Sequence, residues 1–251
     1  MSLAQLDVQP ALIDQVHDRL LEAIIDGTLP PGHRLTQDEL AHMLGVSRQP
    51  VSHAIQVLRR RGLLVDHGKR GIAVAPIDAG RIRDLYQVRA ALDGLAAELA
   101  GACVRSGSYA RDELASLRLA LDVGTRQLEA GNMSTLVNAD VDFHSALHRL
   151  SGNAAIVETV AEQWPHFRRS MRRVLEATAA AGAMSPVLAR DVAHRVWREH
   201  AEIFEAISLG RASDAGQLAR DHAIRAADDT AHRLAASPPI HETPSRKGPT
   251  P

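Results

Sequence analysis

The chain has 251 residues, 45% of them hydrophobic and 24% charged, with a formal net charge of -1. This is the balance of a soluble globular protein long enough for two domains, and it excludes a mainly disordered chain or one that coats nucleic acid through overall positive charge. No apolar run approaches the length of a membrane span, the opening MSLAQLDVQP lacks the features of a secretory signal, and the single cysteine, Cys103, can form no disulfide within the chain, so a cytoplasmic protein without membrane partners is expected.

Residues 11 to 76 mix short helical patterns with two β-like runs, whereas the sequence after Asp78 has helical periodicity broken by Gly, Ser and Pro. The expected organisation is a mixed first domain over 1–76 and an all-helical domain over 77–236. A proline-rich polar tail over 237–251 has almost nothing to bury and is expected to be disordered.

In the first domain, Leu12, Ile13, Val16, Leu20, Ile24 and Ile25 recur at three- and four-residue steps up to Gly27, predicting a helix. Thr36 and Glu39 have capping-box spacing ahead of Leu40, Met43 and Leu44, which predicts a short second helix. Gly45 supplies a turn and Val46 a buried plug. Ser47 is the expected N-cap of a third helix whose apolar face is Val51, Ile55 and Leu58, with Pro50 tolerated in its first turn. Leu63-Leu64-Val65 and Ile72-Ala73-Val74 then flank His67-Gly68-Lys69-Arg70-Gly71, the pattern of a hairpin with a glycine-rich tip. Together these elements predict a winged helix-turn-helix.

The third helix would present Arg48 and Gln49 at its N-terminal end, where a recognition helix meets base edges. Arg forks onto guanine and Gln onto adenine, while Ser47 and Ser52 suit phosphate. Between Arg48 and Arg70 there are six basic residues against one acid, Asp66, a local footprint of +5 inside a nearly neutral chain. Arg59, Arg60 and Arg61 also suit the solvated end of a helix.

After Asp78, a stripe of Ile82, Leu85, Val88, Leu92, Leu95 and Leu99 predicts one long helix, and further segments near 110–130, 134–150, 154–178, 186–208 and 211–234 complete a predicted six-helix bundle. Pro165 is expected to kink or break the 154–178 segment. Asp140 and His144, four apart on one helix face, interrupt the stripe of Val137, Val141, Leu147 and Leu150. His200 interrupts that of Val196, Ile203, Phe204 and Ile207. The spacing proves nothing alone, since Asp38/His42 and Asp228/His232 share it. With His222 the set could form an N/O site for zinc, nickel, manganese or cobalt, or the histidines could be hydrogen-bonded core residues.

The motifs carry a family resemblance. Pro31-Gly32-His33-Arg34-Leu35, Glu39-Leu40-Ala41, Gly45-Val46-Ser47-Arg48-Gln49-Pro50-Val51, Gly62-Leu63 and His67-Gly68, in this order, resemble the GntR family of bacterial regulators. The resemblance implies a homodimer on a palindromic double-stranded DNA operator, contacted by Arg34, Ser47, Arg48, Gln49, His67 and Gly68. Ser52, followed by His53, stands where many relatives carry arginine, so the operator cannot be copied from them. Leu85-Tyr86-Gln87-Val88-Arg89 with Leu92-Asp93, Asp140-Val141-Asp142-Phe143-His144, Gly152-Asn153, Glu199-His200 and His222 are similar to the FCD ligand-binding domain of the FadR subfamily. Its metal-binding members place an aspartate and three histidines at the positions of Asp140, His144, His200 and His222, which implies a divalent metal site.

His148, His166 and His194 are left as surface or packing residues. With open coordination positions, the metal could bind a small carboxylate effector, with Arg89 as a second anchor, though Arg89 could equally pair with Asp93. The arginines Arg168, Arg169, Arg172 and Arg173 have the spacing of a solvated face, and Glu199 is expected to point away from the metal centre. The reading is a metabolite-responsive repressor. Its competitors are a metal-dependent enzyme tethered to DNA, for which no HExxH-like general base is evident, and a purely structural metal clamp.

Overall fold

A computed structural model describes residues 10–68, 71–181 and 186–236. The expected tail over 237–251 and the wing residues Lys69 and Arg70 lie outside the described residues. The chain divides between Ile77 and Asp78 into two compact units.

The first unit contains α1 (Pro10–Ile25), β1 (Arg34–Leu35), α2 (Gln37–Leu44), α3 (Arg48–Arg60), β2 (Leu64–His67) and β3 (Gly71–Val74). The strands form an antiparallel sheet in the order β1-β3-β2, with Arg34 opposite Ala73 and Leu64 opposite Val74. β1 was not expected, because a two-residue strand is too short to show periodicity and exists only by pairing with β3. The capping box at α2 forms: Glu39 N–H donates to the Thr36 hydroxyl at 3.2 Å and Thr36 N–H donates to the Glu39 carboxylate at 2.8 Å. Gly45 ends α2 in the left-handed conformation at φ 66, which an L side chain resists. Ser47 stands at the N-cap of α3 but its side chain makes no capping bond, contrary to expectation. Met43, expected on an apolar face, is exposed. α3 buries Val51, Ala54, Ile55 and Leu58 in one cluster with Val16, Leu20 and Ile24 of α1 and with Leu63 and Val74.

The second unit contains seven helices among the described residues: α4 (Ala79–Ser106), α5 (Arg111–Glu129), α6 (Met133–Leu150), α7 (Ala154–Ala161), α8 (Trp164–Ala181), α9 (Pro186–Ser208) and α10 (Ala212–Ala236). The segment expected as one helix over 154–178 is two. The break precedes Pro165, which lies in the first turn of α8, where its missing N–H leaves no intrahelical bond unmade. The stripe expected to face inward on α4 also needs correction. Val88 and Leu95 are exposed, and the buried face is instead Ile82, Tyr86, Arg89, Asp93, Ala96, Ala97 and Ala100. Small residues let α4 and α10 approach closely: a Cβ on Gly101 would lie 2.8 Å from the Ala212 Cα. Phe143, Leu147, Ile203, Ile207 and Leu117 centre the apolar core of this unit.

Candidate functional site

In the first unit, Arg34, Ser47, Arg48, Gln49, His67 and Gly68 are all exposed, and Ser52 is half-buried one turn into α3. Arg48 and Gln49 open α3, while His67 and Gly68 end β2 and begin its turn. Arg48 and Arg59 have acidic partners. Arg48 Nε lies 2.5 Å from Asp38 Oδ1, and Arg59 Nη2 lies 2.5 Å from Asp66 Oδ2. Both pairs are solvated, so they orient the guanidiniums at little cost to their release.

In the second unit, α6, α9 and α10 bring Asp140, His144, His200 and His222 together in the interior, with one ligating atom from each lying within 4.8 Å of the others. His200 Nε2 is 3.2 Å from His222 Nε2 and 3.5 Å from Asp140 Oδ1, and His144 Nε2 is 3.8 Å from that same oxygen. Atoms ~2.0–2.1 Å from a common tetrahedral ion would be about 3.3 Å apart, so the spacing fits a first-row divalent metal. Hydrogen bonding makes the stronger case. Glu199 Oε2 accepts from His222 Nδ1 at 2.8 Å, which leaves His222 Nε2 as a lone pair facing the cluster. His144 Nε2 and Asp140 Oδ2 are buried and make no hydrogen bond. Acceptor atoms converging on one point, with buried members unpaired, are stabilised by a cation.

The surrounding residues orient these ligands. Asp93 on α4 lies 3.1 Å from His144 Nδ1, 2.7 Å from His148 Nε2 and 3.1 Å from Arg89 Nε. Arg225 Nε donates to Glu199 Oε1 at 2.8 Å. His144 and His222 therefore each have a carboxylate against the nitrogen remote from the cluster, an arrangement that fixes ring orientation and raises ligand basicity. His200 is held by rings: it stacks on Phe143 with centroids 4.2 Å apart and meets Trp197 edge-on at 4.8 Å. Trp197 is itself anchored, donating its indole N–H to the Leu121 carbonyl at 3.0 Å and filling the space beside Gly124, where any Cβ would clash with the indole.

The local electrostatics keep His144 and His200 available as ligands. Burial, reinforced by the Arg89 charge, lowers the His144 pKa to about 4 against the pull of Asp93 and Asp140. Burial, with His222, His144 and Arg89, holds His200 well below the ordinary histidine value. Burial would raise the Asp93 carboxyl, but Arg89, His144 and His148 together hold it well below the usual carboxylate range. Burial opposes ionisation of Glu199 too, and His222 and Arg225 outweigh it. Neutral imidazoles and ionised carboxylates are the forms that bind metal.

Two models of known families match the chain: the FCD domain over residues 84–225 and the gntR family of bacterial regulatory proteins over residues 12–74. The chain belongs to the GntR family, in its FadR subfamily. It is 31% identical over 229 residues to an HTH-type transcriptional regulator of Streptomyces ambofaciens, covering 89% of this chain and 86% of that one. A solved GntR structure from Rhodococcus sp. RHA1 superposes with a TM-score of 0.66 at 26% identity, covering 91% of this chain and 100% of that chain. The McbR/YncC structure from E. coli shares the fold with a TM-score of 0.70 at 20% identity, covering 89% and 98%. This GntR-family chain is thus a transcriptional regulator and not an enzyme. Its helix-turn-helix implies DNA binding and its FCD domain suggests a small-molecule effector.

Within the FCD domain, some sequence expectations hold and others change. Glu199 lies outside the four-residue cluster, as expected, but its carboxylate accepts from the outer nitrogen of His222, a link that was not expected. Arg89 is buried and pairs with Asp93, and it also lines a cavity of about 150 Å³ that reaches Asp140 and His222. His148 is a packing residue bonded to Asp93, His166 is buried, and His194 is exposed. Arg169, expected on a solvated face, is buried, and burial lowers its pKa to about 10. The sequence signal for Asp93 and His148 was present: Arg89/Asp93 and His144/His148 are both i, i+4 pairs. Their partnership across α4 and α6 was not visible.

Proposed function

We propose that this chain is a cytoplasmic, homodimeric repressor that binds a palindromic operator through residues 1–76 and is controlled by a small carboxylate bound beside a metal ion in the FCD domain. The converging, partly unpaired acceptors of Asp140, His144, His200 and His222 carry the metal reading. Three imidazoles and a carboxylate suit zinc, with nickel, cobalt and manganese as alternatives. Zinc can also expand its coordination to take an added oxygen ligand. The cavity reaching Asp140 and His222 favours a sensor over a sealed structural clamp. Arg89, at its wall, supplies charge-assisted hydrogen bonding to a carboxylate. On the DNA side, Arg48 and Gln49 read bases, Ser47 and Ser52 hold phosphates, and Arg34, His67 and Gly68 flank the contact. A dimer seated on a palindrome excludes other proteins from that DNA without any additional surface, which makes repression the simplest output.

Effector binding would change the relation between the two DNA-binding units of the dimer and hence their fit to paired half-sites. Fluorescence anisotropy on DNA from upstream of the gene, across a salt series, tests this reading. The expected result is saturable binding to one palindromic segment, at least a thousandfold tighter than to random DNA and weakening with salt. Arg48→Ala should reduce that preference about tenfold or more. Linkage also requires that an effector that releases DNA bind less tightly when operator is present. Equal, weak binding to every sequence would refute the regulator mechanism, and equal effector affinity with and without operator would refute the allosteric one.

A further inference from the structure

The cavity beside the metal cluster constrains the ligand more narrowly than the cluster does. Its polar wall is formed by Tyr86, Arg89, Asp140 and His222, all at the cluster end, while Met133, Val137, Met171, Val174, Leu175 and Val196 contribute an apolar wall. Those six side chains offer no N–H or O–H. A hydroxyl or second carboxylate placed among them would lose its water partners and gain none. The cavity also has a polar far rim at Thr230, Asp229 and Arg233, where Asp229 pairs with Arg195. Arg233 stands about 16 Å along α10 from His222, at 1.5 Å per residue, so this rim marks the end of the cavity remote from the cluster.

Charge balance favours one ligand carboxylate. Arg89 stands against Asp93 and Asp140, which leaves a single negative charge at the centre, and Glu199 is offset by Arg225. A divalent cation would invert the centre to a single positive charge. One carboxylate neutralises it, whereas a second would reintroduce uncompensated negative charge in a buried site.

Resting on the carboxylate-effector reading above, we propose that the FCD cavity selects an amphiphilic monocarboxylate with an apolar body of roughly five to seven carbons. Its carboxylate meets Arg89 and the metal centre, and its body lies among Val137, Met171, Val174 and Val196. The volume agrees: an apolar cavity of about 150 Å³ accommodates a benzene ring. The two methionines let the wall adapt to a linear, branched or aromatic body.

The test uses the full-length zinc-loaded protein, titrated calorimetrically with acetate, butanoate, hexanoate, phenylacetate, succinate and malate. Affinity is expected to rise about threefold to fourfold per methylene from acetate to hexanoate. Phenylacetate should match hexanoate, and succinate and malate should bind at least tenfold more weakly than hexanoate. Acetate binding as tightly as hexanoate, or a tighter fit for succinate or malate, would overturn the proposal while leaving a carboxylate effector in place. Binding of none of the six would remove the carboxylate reading itself, and this proposal with it. Val174→Thr keeps the side-chain shape and adds a hydroxyl. It should weaken hexanoate about fivefold and leave acetate within twofold, with zinc-induced stabilisation retained. Equal loss for both acids would show that the apolar body does not lie on Val174.

Discussion

In the unit before Asp78 the core is apolar and the residues assigned to DNA lie on the surface, whereas the helical unit closes around Arg89, Asp93, Asp140, His144, His200 and His222, none more than 6% exposed. Among the described residues, every buried charged side chain belongs to the helical unit. A solvated reading surface can be remodelled with little effect on stability, because exposed ion pairs such as Arg48–Asp38 contribute about 1 kcal/mol or less. A buried polar centre has no such freedom, since each member depends on partners supplied by other helices. Sensing and stability should therefore be coupled in the second unit and nearly separate from DNA reading in the first.

Calorimetry that resolves the two unfolding transitions would test this contrast. The largest effect expected is metal removal. Dialysis against EDTA should lower the helical unit's stability by about 4 kcal/mol relative to protein with zinc at a thousand times its dissociation constant, roughly 8–16 °C in Tm. The first unit's transition should stay in place. A common shift of both transitions would show that the units do not unfold separately.

Acid should act next, on the same unit without metal. The folded His144 pKa of about 4 lies below the ordinary 6.5, so the unfolded chain binds more protons between those values. Stability present above pH 6.5 is therefore lost as pH falls toward 4, on the order of 3 kcal/mol for His144, and the lowered His200 acts in the same direction. Chemical denaturation of the metal-free protein at several pH values would measure it. A helical transition unchanged from pH 7 to pH 4.5 would contradict the buried neutral imidazoles.

The smallest effect belongs to the first unit. Thr36→Ala removes the side-chain half of the capping box on α2 and should cost about 1 kcal/mol. That loss should appear only in the first transition, with zinc affinity unchanged.

The contrast also explains how much of the molecule could be read from the sequence. The capping box, the helix-turn-helix, the hairpin and the four cluster residues were legible because each is carried by short-range spacing or by a motif. The inward face of α4 was misread because periodicity treats apolar as inward, and here Arg89 and Asp93 point inward while Val88 and Leu95 are exposed. The role of Glu199 was hidden for a related reason. Adjacent residues on a helix diverge, yet its carboxylate reaches His222 on another helix.

By itself the sequence determined which residues could cap, turn, read DNA or ligate a metal, because backbone preference and side-chain chemistry are local properties. Only the tertiary structure decided that Asp93 links Arg89, His144 and His148, that Trp197 and Phe143 hold the ring of His200, and that an apolar cavity opens beside the cluster. These are relations between helices far apart in the chain, and burial makes each one obligatory. A polar group removed from water must find its partner wherever the packing has placed it.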